Sequence, residues 1–227
     1  MKAIIFDSET TGIVEPQIIE AAWLQVESPL ALEVLGEFEQ RYKPTKAIGL
    51  GAMSVHHIMD EDLLDMPAST TFALPADLKY IIGHNIDFDW KVAGCPDIKR
   101  ICTLALSRSL LPNLDSHSQS GLLYHFMRQT ARENLKNAHS ALADVMNCRR
   151  VLANLVDLLP GVETWEDLWQ ISEKTRIPTV MAFGKHKGTP IVEIPGSYKR
   201  WLLEQPDVDP YLRKALERLH SMVLVGK

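Results

Sequence analysis

Hydrophobic and polar positions along this chain of 227 residues follow a strand period first and a helical period later. The apolar run Ile4-Ile5-Phe6 consists of strand formers and stops abruptly at Asp7. Residues 17–26 and 33–42 read as two more strands, turning at Ser28-Pro29 and ending at Lys43-Pro44, which predicts an antiparallel meander. An irregular stretch, Ser54-Val55-His56-His57-Ile58, then precedes an acidic helical turn over 60–64. A helix is expected over 68–77, followed by the short strand Tyr80-Ile81-Ile82-Gly83. Polar residues appear at once behind it in His84-Asn85-Ile86-Asp87-Phe88-Asp89-Trp90, and the C-terminal ends of strands are where α/β sheets place ligands. A strand over 98–102 and helices over 104–111 and 119–128 come next. The longest helix begins near Ala138, keeps Leu142, Val145, Met146, Leu152 and Leu155 at helical spacing, and is stopped by Pro160-Gly161. Strands followed by helices in this order predict an α/β fold, a mixed sheet flanked by helices.

The remainder is organised differently. An amphipathic helix carries Trp165, Leu168, Trp169 and Ile171 as far as Lys174, and Ile177-Pro178 forms a hinge. Two glycines then bracket Lys185-His186-Lys187 in a segment running from Phe183 to Pro190, a hairpin pattern, and helices over 198–204 and 210–224 close the chain. The expected organisation is a main domain over 1–160, a connecting helix and linker over 161–177, and a small α+β module over 178–227. A module of this size needs packing on a neighbour to be stable.

Composition supports a folded protein, with 46% hydrophobic residues to fill a core. No stretch approaches the ~20 apolar residues of a membrane span, and Met1-Lys2 runs straight into a strand, so no membrane partner and a cytoplasmic location are expected. Cys95, Cys102 and Cys148 include no Cys-x-x-Cys pair and are expected to be small core residues. The net charge of −5 argues against a polyanionic partner until it is divided. Residues 178–227 hold eight Lys and Arg against five Asp and Glu, giving +3, and the preceding residues carry −8. If four of those acids bind two divalent cations, the local field is largely cancelled and a polyanion becomes acceptable.

Asp7 and Glu9, two residues apart in an extended backbone, project from one face. Such a pair reads either as a solvated acidic turn or as ligands for a hard divalent cation, which relieves their repulsion. Thr10, Thr11 and Gly12 break the strand and offer N–H groups and hydroxyls beside the carboxylates, a cradle for a phosphate or sugar. Asp89 and Asp144 are the other acids that stand out. His139, five residues before Asp144, shares no tight helical face with it and belongs on the loop or first turn. There an imidazole serves either as a general base toward an activated water or as a hydrogen-bond partner of the helix start.

Together, Asp7-x-Glu9, Asn85-x-x-Phe88-Asp89 and His139-x-x-x-x-Asp144 resemble the three motifs of the DEDDh 3′→5′ exonucleases, the DnaQ-like branch of the ribonuclease H-like superfamily. The resemblance implies that Asp7, Glu9, Asp89 and Asp144 hold two divalent metals, Mg2+ with Mn2+ able to substitute, and that His139 is the general base. Val55-His56 is similar to the family's substrate-pocket segment. Ser8 lies between the two carboxylates, and its side chain is expected to point away from the metals. Ser140 occupies the position of the tyrosine in a tyrosine-based variant, so the histidine branch fits.

Phe183-Gly184-Lys185-His186-Lys187-Gly188, followed by Tyr198-x-x-Trp201-Leu202, resembles the C-terminal region of the bacterial exodeoxyribonuclease X branch. The implied activity is hydrolysis of DNA from its 3′ end, single-stranded or duplex, to nucleoside 5′-monophosphates, with a place in DNA repair. Thr10, Thr11, Gly12, Ile13, Val55, His56 and Asn85 are the expected substrate contacts. Lys185, His186, Lys187, Lys199 and Arg200 either contact nucleic acid or form a hairpin and helix exposed for solubility. Two alternatives stand beside this reading. One is an RNase T-like or oligoribonuclease-like exoribonuclease, and the other is a non-catalytic nucleic-acid-binding subunit of the same fold.

Overall fold

A computed structural model describes residues 2–135 and 139–225. It divides into two compact units, Met1–Ser172 and Glu173–Lys227. The first is built on a five-stranded sheet of order β3-β2-β1-β4-β5. Its strands are β1 (Lys2–Thr10), β2 (Ile18–Val26), β3 (Val34–Arg41), β4 (Leu78–Gly83) and β5 (Lys99–Cys102). β1, β2 and β3 form the antiparallel meander, while β4 and β5 run parallel to β1. The sheet is mixed and flanked by helices, as the residue pattern predicts.

β1 is the central strand, and both of its faces are covered. Ala3 and Ile5 enter a core with Ala22, Leu24, Tyr80 and Ile82, and Ile4 and Phe6 enter a second core with Ala21, Tyr42, Ile81 and Ile86. A strand buried on two sides needs a continuous apolar run, which is why Ile4-Ile5-Phe6 carries no alternation. β3 is the edge strand, mostly exposed, and Glu37, Glu39 and Arg41 on it discourage pairing with another chain.

The helices of the first unit are α1 (Leu50–His56), α2 (Asp87–Val92), α3 (Thr103–Leu110), α4 (Gln119–Asn134), α5 (Ala141–Asp157) and most of α6 (Trp165–Thr175). α5 lays Ala141, Val145, Cys148, Val151, Leu152 and Leu155 on the core that holds Ala3 and Ile5. Trp165 and Leu168 of α6, a helix read from the residue pattern as a connector, are buried in that same core. Ala138, where the pattern starts the long helix, lies outside the described residues.

Several expectations are corrected. The helix over 68–77 reduces to a single 3-10 turn, Ser69–Thr71. Pro67 and Pro75 bound the segment, and its backbone is tied to Lys43 by the bonds Lys43 N–H to Pro67 and Ser69 N–H to Lys43. Phe72 then stacks near Phe6 and meets Tyr42 edge-on, so tertiary contacts decide the path. Ser54, Val55 and His56, read as irregular, close helix α1, which His57 ends in the left-handed conformation. Cys102 and Cys148 are buried, but Cys95 is exposed in the turn behind α2, where both Gly94 and Cys95 have positive φ.

The second unit has its own core of Met181, Ile191, Ile194, Leu202, Leu212 and Leu216. α7 (Gly196–Glu204) supplies Leu202 and α8 (Pro210–Val225) supplies Leu212 and Leu216. The expected hairpin forms no strands. Val180 and Pro190 make one antiparallel bridge, and Gly184–His186 is a 3-10 turn.

Candidate active site

Asp7 and Glu9 follow Ala3 and Ile5 at intervals of two, so they continue the face of β1 that packs against α5. Pairing with β4 ends at Ile5↔Ile82, and from Asp7 onward β1 runs past the end of its parallel neighbour. That leaves its last residues flanked on one side by β2, with Glu9 opposite Glu20.

α5 brings the third carboxylate. Asp144 lies in its first turn, and ligand oxygens of Asp7, Glu9 and Asp144 fall within 4.8 Å of one another. Asp144 is held from three directions. Its Oδ2 accepts the His139 backbone N–H at 3.0 Å, its Oδ1 accepts Gln119 Nε2 at 3.2 Å, and Gln119 also donates to its carbonyl at 2.9 Å. His139 itself is exposed, just ahead of the helix, in a left-handed conformation with φ of 71°. Helical spacing had indicated such a position outside the face of Asp144.

Asp89 arrives from α2, outside the set within 4.8 Å, and is the neighbouring acid that pushes Asp7 up most. Its Oδ1 accepts both the Ser8 N–H at 3.1 Å and the Ser8 hydroxyl at 2.7 Å. The Ser8 side chain, expected to point away from the metals, lies on the other face of β1 from Asp7 and Glu9, but its hydroxyl bonds Asp89, one of the four acids assigned to them. The approach of α2 to β1 depends on Gly83, where a Cβ would come within 2.7 Å of Ile86 Cδ1 and 3.0 Å of the Phe6 carbonyl.

Glu20 is the residue that sequence reasoning missed. It is 1% exposed; its Oε1 accepts Arg41 Nε and its Oε2 accepts the Ala141 N–H, both at 2.8 Å. The carboxylate thus takes one of the free N–H groups at the start of α5, three residues ahead of Asp144. A signal for it exists in the sequence: one acid inside the otherwise apolar run Ile18-Ile19-Glu20-Ala21-Ala22.

The electrostatics of the cluster are set by burial and by the mutual repulsion of its acids. Burial, then Asp89, Asp144, Glu9 and Glu20, all push Asp7 far above the ordinary carboxylate range. Burial followed by Asp144, Glu20 and Asp89 raises Glu9 to about 8. Burial lifts Asp89 to about 7 against the Ser8 hydrogen bonds, and burial also raises Asp144 against its bond from His139. Burial and each neighbouring acid push Asp7 and Glu9 in the same direction, and the carboxylate set fits a hard divalent cation, which would reverse it.

The expected substrate contacts divide into two groups. Thr10 and Thr11 are buried and their hydroxyls shape the turn: Thr10 bonds the Gly12 carbonyl at 3.0 Å, and Thr11 accepts the Gln17 N–H at 3.1 Å. Both hydroxyls take part in the turn, and Gly12 beside them has φ of 143° with nothing near a Cβ position. Ile13 is 85% exposed and Val55 45%, two apolar side chains facing solvent. His56 is buried, accepts the Ile58 N–H on Nδ1 at 3.0 Å, and borders the Thr10 backbone. Asn85 is exposed with φ of 68°, and neighbouring His84 bonds Thr103 while burial lowers its pKa to about 4.

In the second unit, the His186 ring lies 4.6 Å from that of Tyr198, so the hairpin loop and α7 meet. Lys185 and Lys187 are exposed, and Lys199 donates to the Val192 carbonyl at 3.1 Å. Arg200, two residues past Tyr198, falls on the far side of α7 from that ring.

Comparison with known proteins agrees with this geometry. The RNase_T family model, described as an exonuclease, matches residues 4–152, the span that contains all four acids and His139. Exodeoxyribonuclease 10 of Escherichia coli K12 is 26% identical over 226 residues, covering 94% of this chain and 96% of the relative. A structure of exonuclease X in complex with 5′ overhanging duplex DNA shares the fold with a TM-score of 0.58 at 23% identity, covering 74% of this chain and 99% of that one. Escherichia coli exonuclease I in complex with a dA16 oligonucleotide gives 0.54 at 19% identity, over 78% of this chain and 44% of that one. No helix among the described residues is long and apolar enough to cross a membrane. With an acidic cluster at the end of its central strand inside the matched span, this chain belongs to the RNase_T exonuclease family.

Proposed function

We propose that this exonuclease degrades DNA from the 3′ end to nucleoside 5′-monophosphates, using two divalent cations held by Asp7, Glu9, Asp89 and Asp144, with Mg2+ the natural ion. The observation that carries the reading is the convergence of Asp7, Glu9 and Asp144 within 4.8 Å, from a strand and a helix far apart in sequence. Bound there, divalent cations would supply an activated water and would stabilise charge on the leaving oxygen. The chain's own groups do the rest. His139, exposed on a fixed backbone beside Asp144, takes the proton from the attacking water. The oxygen of that water joins phosphorus, the bond from phosphorus to the penultimate 3′-oxygen breaks, and that oxygen takes a proton from solvent to leave a new 3′-hydroxyl on the shortened strand.

Ile13 and Val55 offer an apolar face to the terminal base without reading its identity, and Gly12 lets the sugar approach the backbone. DNA as the substrate is supported by the names of the similar proteins, exodeoxyribonuclease 10 and exonuclease X with duplex DNA. Repair of DNA is the corresponding cellular role, and the cytoplasm its place. The test is product analysis on 3′-labelled single-stranded DNA, duplex DNA and RNA of one sequence, with magnesium and with chelator. Magnesium-dependent release of deoxynucleoside 5′-monophosphates is expected. Preferential degradation of RNA would replace the substrate, and no release from any strand would replace the enzyme by a binding subunit.

A further inference from the structure

The second unit leaves apolar rings in water next to cations. Trp201 is 50% exposed and Phe183 49%, although neighbouring Leu202 of α7 is buried in the core of the unit. The ring of Trp201 lies 5.3 Å from that of Tyr198, whose other neighbour is His186 at 4.6 Å. Three rings thus form one continuous row across α7 and the loop that precedes it. A half-exposed Trp is not needed to close this core, and exposed rings of this size mark contact surfaces.

The loop is held in place. Gly184 and Gly188 have φ of 67° and 83°, and a Cβ at Gly184 would sit 3.1 Å from the Tyr198 hydroxyl, so the backbone runs tight against that ring. Gly188 N–H bonds the Met181 carbonyl at 2.8 Å, and Met181 N–H bonds Thr189 at 3.0 Å. Lys185 and Lys187 flank His186 on this fixed turn, and no Asp or Glu occurs between Lys174 and Glu193. The row of rings is bordered by positive charge alone along the loop.

We propose that His186, Tyr198 and Trp201 are a stacking platform for unpaired bases of single-stranded DNA, with Lys185 and Lys187 meeting its phosphates. Every base has a π-face, so such a platform holds a strand without reading its sequence, and the lysines supply the salt-dependent part of the grip. The inference rests on the exonuclease reading above for its substrate class. It adds a second point of attachment for the strand, outside the carboxylate site.

The test uses the full chain with chelator, so that nothing is cleaved, and a 2-aminopurine-containing oligo-dT. Trp201→Ala should weaken binding about 5- to 100-fold, the range of one lost base stack, while Trp201→Phe keeps most of it. The double variant Lys185→Gln/Lys187→Gln should flatten the salt dependence of log Kd by about 1.4, at roughly 0.7 per single-strand phosphate contact. Unchanged affinity in Trp201→Ala, or equal loss in Trp201→Phe, overturns the platform. A measurement on the wild-type protein avoids any folding defect: photo-crosslinking to bromodeoxyuridine DNA should give adducts on peptides holding residues 183–187 or 198–201, and adducts confined to other peptides overturn it. A wild-type protein that cross-links there but releases no monophosphate would remove the exonuclease reading and leave the platform. Release of monophosphate with adducts elsewhere would remove the platform alone.

Discussion

Glu20 accepts the backbone N–H of Ala141 at 2.8 Å, joining β2 to the first residue of α5 across 121 positions of sequence. The other oxygen of the same carboxylate holds Arg41 of β3. One buried acid therefore fixes the start of the helix that carries Asp144 relative to the strand beside Glu9.

Removing that carboxylate frees two partners. Glu20→Ala leaves the buried Ala141 N–H unpaired, while Arg41, 43% exposed, turns to solvent, so the loss is roughly 1–3 kcal/mol and comes chiefly from the stranded N–H, checked by urea unfolding. Glu20→Gln keeps the shape and removes a charge that raises Asp7, Glu9 and Asp144. Its magnesium binding, followed by calorimetry against pH, should therefore set in at lower pH than in the wild type. An unshifted profile would mean that Glu20 acts on the site through shape alone.

The pH dependence of the metal-free protein has a definite sign. Glu9 and Asp89 bind protons up to about 8 and about 7 in the native state, against ordinary values of 4.5 and 3.8. Between those limits the native state holds more protons than the unfolded chain, so its stability is full at the acid end and falls as pH rises through the native values. In chelator, Tm should drop from pH 5 to pH 8. Magnesium competes with those protons, so the rise in Tm that it produces should be larger at pH 8 than at pH 5.5. A flat Tm in chelator across this range would contradict the burial of the cluster.

Asp7 is pushed upward by four other acids as well as by burial. Asp7→Asn removes one member of that crowd, so the variant should melt higher than the wild type in chelator at pH 8. It should also lose both turnover and the stabilisation by magnesium. Wild-type degradation of a 3′-labelled strand by this variant would end the metal assignment.

These predictions separate what was legible in the residues from what was not. Asp7 and Glu9 were legible because the relation between them is local: two residues apart in a strand, on one face. The meander and the parallel strands followed from apolar runs bounded by Pro, Gly and polar turns. Glu20 was visible as an acid in an apolar strand, but its role depends on Ala141, and the role of Ser8 depends on Asp89, 81 residues away. Pairings at such distances leave no periodic mark. The same cause removes the expected helix over 68–77, where Lys43 takes the backbone bonds and Phe72 is held by Phe6 and Tyr42. Exposure of Cys95 came from two successive left-handed residues, a conformation that composition does not report.

Ser8→Ala tests the strand's hold on Asp89. It deletes the 2.7 Å hydroxyl bond and leaves the backbone bond at 3.1 Å. Both bonds lower the Asp89 pKa, so losing one should raise it further and shift the alkaline-rising limb of activity to higher pH. A hydrogen bond to a charged group is worth about 1.5–3 kcal/mol, so the shift should be about 1–2 pH units. Ser8→Thr, which restores the hydroxyl, should return the profile to that of the wild type.

His139 has a structural tie to the site and a proposed chemical one, and the two are separable. Its backbone N–H donates to Asp144 Oδ2 at 3.0 Å, and its imidazole is exposed for proton transfer. His139→Ala keeps the first and removes the second. Magnesium affinity measured by calorimetry should stay near that of the wild type, while turnover falls about 10²–10⁴-fold, the usual contribution of a positioned acid or base. His139→Pro removes the N–H as well, and its fixed φ near −65° is incompatible with the 71° found here. That variant should lose magnesium affinity too. If His139→Ala and His139→Pro lose magnesium affinity equally, the imidazole belongs to metal binding, and the proton from the attacking water goes to another acceptor.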